Sequence, residues 1–337
     1  MREKDIRPEK IFREYLKLAE LDARDFFSGR VRNDVPCPAC GSAGEREFTK
    51  TGFDYRLCGD CRTLYVSPRP EEEAFRRYYT EAPSTRFWAE KFYPETEPAR
   101  RKSVFGPKAL MVSEKTAKYA PGAEALVDIG AGYGTFLEEF AGGPGKPGME
   151  VLAIEPSGPL SEACGKKGLK VIRKFTEELD RDDLGLSGKA GAVFTSFELL
   201  EHVYTPREFL RSCSRMMREG DILIFTTLNA NGFDIQLLWE KSKSVFPPHH
   251  LNFFNPRSVE ILLEAAGLDL LEVTTPGKLD VDIVANNLGA VKDRFFRTFF
   301  ETASPADRES LQSFLRENKL SSHMMAVAAK KCSREAE

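Results

Sequence analysis

Histidine and tryptophan are scarce in this chain, with four and two among 337 residues. The charge balance lacks an excess of either sign: the formal net charge is −3. That excludes a global pull toward nucleic acid or an anionic membrane surface. No apolar run approaches the ~20 residues that cross a bilayer, so membrane insertion is not expected. The start, Met1-Arg2-Glu3-Lys4-Asp5, has no apolar signal-peptide core, which places the chain in the cytoplasm as an expectation. There is no internal repeat. Nor do the seven cysteines pair off throughout, as a secreted disulfide framework would; Cys164, Cys213 and Cys332 stand singly, and a reducing compartment fits better.

What is present centres on Ala125-Leu126-Val127-Asp128-Ile129-Gly130-Ala131-Gly132-Tyr133-Gly134. The apolar run predicts a buried strand. The three glycines predict a tight turn whose backbone can approach a ligand closely. Phe136, Leu137 and Phe140 resume at helical spacing, and the helix start offers free N–H groups. The spacing is G-x-G-x-G, which departs from the dinucleotide fingerprint G-x-G-x-x-G and counts against NAD or FAD.

The other four cysteines form two C-x₂-C pairs, Cys37 with Cys40 and Cys58 with Cys61. Each pair can present two thiolates to one tetrahedral ion, and the gap between the pairs suits a zinc ribbon. Four sulfurs close the coordination shell, so the Zn²⁺ is expected to be structural.

Before the ribbon, residues 8–27 repeat apolar positions at helical spacing. After it, a helix is expected from Glu71 to Thr80. An aromatic, proline-punctuated stretch follows, including Trp88, Phe92, Tyr93, Pro94, Pro98, Arg100 and Arg101. It either covers a cleft or docks two domains, and its arginines suit an anionic group. A helix is expected over Lys108–Lys118. Beyond the glycine stretch, strands are expected at Val151–Ile154, Leu169–Ile172, Ala190–Ser196, Ile222–Thr227, Leu268–Thr274 and His323–Ala329, with helices between. This alternation argues for a largely parallel, doubly wound sheet. Glu155 ends the second strand, where an acid can accept both ribose hydroxyls. Glu198, Glu201 and His202 fall just past the fourth, at the end of the sheet where such folds bind ligands. Two of the four histidines, His249 and His250, sit side by side among prolines and aromatics. A histidine in an apolar pocket can act as a general base.

Val127 to Gly134 resembles motif I of the class I S-adenosylmethionine (SAM)-dependent methyltransferases. Glu155 matches that family's ribose acid, and Phe197–His202 and Asn229 resemble its later motifs. The resemblance implies a Rossmann-like α/β fold with a seven-stranded sheet in the order 3-2-1-4-5-7-6. It also implies SAM contacts from Asp128, Gly130, Ala131, Gly132, Tyr133, Gly134, Glu155, Phe197 and a residue near Thr176 or Glu177. With the N-terminal ribbon and the histidine loop, the chain further resembles bacterial sugar C-methyltransferases, which act on nucleotide-linked keto-sugars, and polysaccharide-cluster methyltransferases. It departs from the sugar enzymes at Pro247, Pro248 and His249.

The expected organisation is an N-terminal helix (1–30), a zinc ribbon (31–70), a helical and aromatic connector or lid (71–120) and a SAM-dependent methyltransferase domain (121–337). The expected reaction is methyl transfer to a small molecule such as a nucleotide sugar, with His250 or His249 as general base and Glu198 or His202 lining the acceptor side. Alternatives are a quinone or phenol O-methyltransferase, an rRNA methyltransferase and a non-catalytic SAM-binding scaffold. The pI near 6.0 and the lack of Asn-Pro-Pro-Tyr or Asp-Pro-Pro-Tyr after the fourth strand speak against amino methylation of bases.

Overall fold

The computed structural model describes residues 2–186, 188 and 191–331; Ala190, the expected start of the fourth strand, and Cys332 lie outside them. Helix α1 (Glu9–Phe27) leads into three antiparallel strands, β1 (Gly44–Lys50), β2 (Phe53–Cys58) and β3 (Leu64–Val66). Helix α2 (Glu72–Glu81) follows. The proline-punctuated stretch is helical throughout: α3 (Pro83–Phe87), α4 (Tyr93–Arg100) and α5 (Gly106–Tyr119) are joined by π-helical turns at Trp88–Phe92 and Arg101–Phe105. Pro94 lies in the first turn of α4 and Pro107 in that of α5, where a missing N–H costs least. Pro98 is inside α4, so the wider turns re-seat the backbone around a lost hydrogen bond.

From here strand and helix alternate. They comprise β4 (Ala125–Ile129), α6 (Thr135–Ala141), β5 (Glu150–Ile154), α7 (Gly158–Lys166), β6 (Lys170–Ile172), β7 (Ala192–Phe197), α8 (Pro206–Met216) and β8 (Ile222–Leu228). Then come β9 (Asn252–Phe253), α9 (Pro256–Ala265), β10 (Leu268–Thr274), α10 (Asp280–Asn286), α11 (Arg294–Thr302), α12 (Pro305–Glu317) and β11 (His323–Lys330). The main sheet has seven strands in the order β10-β11-β8-β7-β4-β5-β6. Its members from β8 to β6 run parallel, and β11 enters antiparallel between β8 and β10. Every residue of β4 is buried, as expected of a central parallel strand covered on both faces.

Two apolar layers sandwich this sheet. On one face Leu126, Ile224 and Val327 meet Val112 of α5 and Phe140 of α6. On the other, Val127, Phe194 and Leu223 pack in one core with Phe209 and Met216 of α8 and with Cys37, Cys58 and Cys61.

The small sheet carries a feature that periodicity does not reveal. It has four strands, β9-β3-β2-β1, and β9 comes from the segment just after His249-His250. Asn252 pairs with Tyr65 and Phe253 with Leu64. The buried Arg69 side chain fastens the same join, donating to Val66 O at 2.8 Å and to Asn252 Oδ1 at 2.6 Å. The cysteine-bearing sheet and the histidine loop are therefore one structural unit.

Candidate functional site

The loop after β4 is built from left-handed turns. Gly130, Gly132 and Gly134 have φ of 73°, 56° and 68°, a region that side chains other than glycine rarely adopt. The Gly130 and Ala131 amides both donate to Ile154 O, at 2.9 and 3.2 Å, which ties the loop to β5. A Cβ on Gly134 would stand 2.4 Å from Leu169 Cδ1, whereas one on Gly132 would meet nothing within 4 Å. Gly134 is thus a packing glycine, and Gly132 faces open space. Glu155 is buried; its Oε2 accepts from Gly132 N at 2.8 Å and its Oε1 from Ser157 N at 2.9 Å. Burial pushes its carboxyl upward, against the pull of those two amides. Asp128 is also buried, and accepts the Thr195 hydroxyl at 2.6 Å from β7. Burial pushes it up to about 7.

The aromatic helices lie over this loop and also pack on α1. Tyr93 stacks on Tyr133 with centroids 4.0 Å apart, and its hydroxyl donates to Thr135 Oγ1 at 2.7 Å. The Tyr133 hydroxyl donates to Ala89 O. Trp88 and Phe92 stack on each other at 4.3 Å and contact Tyr15 of α1. The stretch thus contacts both the glycine loop and α1. Its arginines face the protein's own groups. Arg101 pairs with Glu97, Glu138 and Glu139, and Arg100 lies over Trp88 and Phe92.

Past the end of β7, Glu198 adopts a left-handed φ of 51°, a strained conformation for glutamate that directs its side chain. Its Oε1 accepts from Thr226 Oγ1 at 2.6 Å and lies 3.5 Å from Lys108 Nζ and 3.4 Å from His323 Nδ1. Burial works to raise this carboxyl, but His323, Lys108 and the Thr226 hydroxyl outweigh it and hold Glu198 well below the usual carboxylate range. Lys108 also lies 4.3 Å from the Phe197 ring centroid. Glu201 goes the other way. It is buried, accepts the Thr227 hydroxyl at 2.8 Å, and is pushed up by burial and by the Glu198 charge.

His202 and His250 meet with ring centroids 4.8 Å apart. His202 Nδ1 contacts His249 O at 2.9 Å and His250 Nδ1 contacts Ser244 O at 2.5 Å. A carbonyl only accepts, so each Nδ1 carries the hydrogen and each Nε2 keeps its lone pair. His249 is turned elsewhere: its Nε2 is shared by the Tyr15 and Tyr78 hydroxyls at 2.9 and 2.5 Å. Burial lowers all three imidazoles, His202 to about 4 and His250 to about 3, so they are neutral near pH 7. The loop is held from both sides, with Tyr55 of β2 donating to His250 O at 2.7 Å and Leu251 N donating to Glu201 O at 2.8 Å.

The four paired cysteines converge as well. Cys37 and Cys61 Sγ are 3.4 Å apart, as are Cys40 and Cys58, and all four sulfurs lie within 4.8 Å of one another. The two knuckles are alike: Gly41 N donates to Cys37 O and Arg62 N to Cys58 O, with φ of 83° and 60°. Four thiols this close cannot all ionise without a cation between them, so the donor set fits Zn²⁺.

A family of methyltransferase domains matches residues 96–273 of the 337, just over half of the chain. The chain belongs to that methyltransferase family. Among curated relatives of this methyltransferase is the ubiquinone biosynthesis O-methyltransferase of Xanthomonas campestris pv. campestris (strain B100). It is 25% identical over 219 residues, covering 62% of this chain and 88% of the relative. The protein of the same name from Methylococcus capsulatus is 34% identical over 108 residues, covering 31% and 43%. Among solved structures, the plantazolicin methyltransferase BamL, in complex with a triazolic desmethylPZN analogue and SAH, aligns with TM-score 0.50 and 11% identity. That alignment covers 77% of this chain and 94% of BamL, and it supports the fold alone. The chain is a SAM-dependent methyltransferase with a Rossmann-like α/β fold and a mixed seven-stranded sheet. No helix among the described residues is long and apolar enough to cross a membrane.

The methyltransferase brings together most residues expected of its site. Gly130 to Gly134 and Glu155 form one loop cluster and His202 and His250, with Glu201, another, while Glu198 turns to Lys108, Thr226 and His323. Thr176 is buried in a short 3₁₀ turn after β6, while Glu177 beside it is exposed. Lys108, Thr226, Thr227, Tyr15 and Tyr78 were not expected at the site. They lie on helices and strands whose patterns read as packing. Glu201 joins His202 at the site as well; two acids and a histidine within five residues at a strand end are the sequence signal for it.

Proposed function

We propose that this methyltransferase transfers the SAM methyl group to a small-molecule acceptor whose attacking atom carries a proton. The Gly130–Gly134 loop would hold the methionine part of the donor, with Asp128 fixing the strand beneath it. Glu155 would release the Gly132 amide and take the ribose hydroxyls, and the segment at Thr176–Glu177 would border the adenine. SAM supplies an electrophilic methyl on a sulfonium. As the acceptor atom bonds to that carbon the C–S bond breaks, its electron pair stays on sulfur, and the acceptor's proton must leave. The observation that carries this reading is the group of Glu201, His202 and His250 at the carboxyl end of β7 and β8, with both Nε2 lone pairs kept free by Nδ1 hydrogen bonds. Glu198, paired with Lys108, would border the acceptor. His249, with its Nε2 occupied by two tyrosines, supports the loop rather than taking the proton.

The acceptor we favour is a nucleotide-linked sugar, because paired cysteines ahead of this fold and a histidine loop after its fifth strand resemble the sugar C-methyltransferases; the join through β9 supports treating the two as one unit. Tying these residues to a ribbon (31–70), a connector (71–120) and a catalytic domain (121–337), the same reading makes the Zn²⁺ structural. A second reading, a phenol or quinone acceptor, is favoured by the likeness to the Xanthomonas ubiquinone biosynthesis O-methyltransferase. Incubating the protein with labelled SAM and either nucleotide sugars or polyhydroxylated phenols separates the two. Label in the sugar fraction supports the first, and label in the phenol fraction replaces it with the second.

A further inference from the structure

We propose that Glu201, His202 and His250 form a second metal site, for a divalent transition-metal ion, distinct from the Cys₄ cluster. One ligand atom from each of the three residues lies within 4.8 Å of the other two. Bonds of ~2.0–2.2 Å put the ligands of a filled tetrahedral site ~3.4 Å apart. Binding therefore draws the three atoms together by up to ~1.4 Å. The imidazoles are already set for this. Each spends its Nδ1–H on a main-chain carbonyl, His202 on His249 O and His250 on Ser244 O, the outer contact that commonly orients a metal-bound histidine. The remaining Nε2 atoms have no hydrogen-bond partner among the described residues. Glu201 is 1% exposed, with Thr227 Oγ1 on its Oε2 as an outer-shell donor. One ring nitrogen of each imidazole and a Glu201 oxygen thus converge, a donor set that a cation can bridge with release of the carboxyl proton.

Two nitrogens and one carboxylate suit Fe²⁺, Co²⁺, Ni²⁺, Mn²⁺ or Zn²⁺ rather than Ca²⁺ or Mg²⁺, and three protein ligands leave positions open. Both histidines are half-buried, so the open side reaches the acceptor space. The chemical class that fits there is a molecule with adjacent oxygens, such as a keto-sugar or a vicinal diol, anchored by the ion through one or both. The inference rests on the proposed acceptor side of this same site and changes how the proton leaves: with the ion bound the two imidazoles are ligands, and the acceptor hydroxyl, acidified by the ion, gives its proton to solvent water.

The test titrates zinc-loaded full-length protein with Co²⁺ and follows absorption and heat. One further equivalent should bind, with d–d bands but no thiolate charge transfer, which marks the sulfur site. Its dissociation constant should weaken at least ~10-fold in His202→Ala, His250→Ala and Glu201→Gln. Binding to the unaltered protein needs no variant to fold, and SAM affinity reports whether each variant did. No further equivalent, or equal binding by folded variants, overturns the metal site. Methylation that persists in protein unable to bind the second ion overturns the ion's role in anchoring the acceptor and leaves the transfer reading standing. Ion binding without methylation of any acceptor does the reverse.

Discussion

His202 and His250 stand with ring centroids 4.8 Å apart at an interplanar angle of 63°, each with Nδ1 committed to a main-chain carbonyl. One residue follows β7 and the other precedes β9, so the pair joins the main sheet to the small one. If this pair handles the acceptor's proton, alanine at either position lowers kcat by ~10²-fold or more while SAM affinity stays within about twofold. Single-turnover rates and calorimetric SAM titration check this together.

The glycine loop predicts two different failures. Gly132→Ala puts a methyl group into the open side of the loop at a φ of 56°. It should weaken SAM binding at least ~10-fold, or ~1.4 kcal/mol, with a small change in melting temperature. Gly134→Ala places its Cβ 2.4 Å from Leu169 Cδ1 at a φ of 68°. It should lower stability by ~1–3 kcal/mol through overpacking and backbone strain. Thermal melts beside SAM titrations separate the two.

Because β9 is a strand of the cysteine-bearing sheet and Asn255 Nδ2 donates to Cys61 O at 2.8 Å, loss of a metal held by the four cysteines should reach the histidine loop. Removing Zn²⁺ with a chelator, or Cys58→Ser, should abolish methyl transfer before SAM binding falls. Hydrogen exchange should rise first at Leu251–Phe254. Equal loss of both functions would mean that the ribbon supports the whole fold instead.

Asp128 gives a pH dependence whose sign is fixed. Its folded-state value is about 7 against an ordinary ~3.9. The native state therefore holds a proton that the unfolded state releases. The stability from that proton is full below pH ~4 and is lost as pH rises toward 7, up to a few kcal/mol. Asp128→Asn keeps an acceptor for the Thr195 hydroxyl and never ionises. Relative to the parent it should gain stability progressively from pH 4 to pH 7 and level off above; urea melts across that range measure it.

Much of this architecture is legible in sequence because the signals are local. Leu126, Val127 and Ile129 mark a buried strand, the glycines that follow mark its turn, and the paired cysteines mark a knuckle each. The join between β9 and β3 is not legible, since a two-residue strand has no period and its partner lies almost 190 residues earlier. The helix across Pro94 and Pro98 is missed for the opposite reason, as prolines usually end helices and here π turns carry the chain past them. Lys108 and Tyr78 reach the site from helices whose spacing announces only a packed face. For His249 the sequence offers the same residue type as His250, and only the fold shows that two tyrosine hydroxyls hold it.

The central claim is that this methyltransferase modifies a small molecule at the Glu201, His202 and His250 end of the sheet. Methyl transfer from labelled SAM into nucleotide-sugar and phenol pools, run on the parent and on a folded, SAM-binding His202→Ala/His250→Ala double variant, tests it most directly. Labelled small-molecule product is expected from the parent, and a loss of at least ~10²-fold in the variant. Equal product from both proteins, or label appearing only in added RNA, would contradict it.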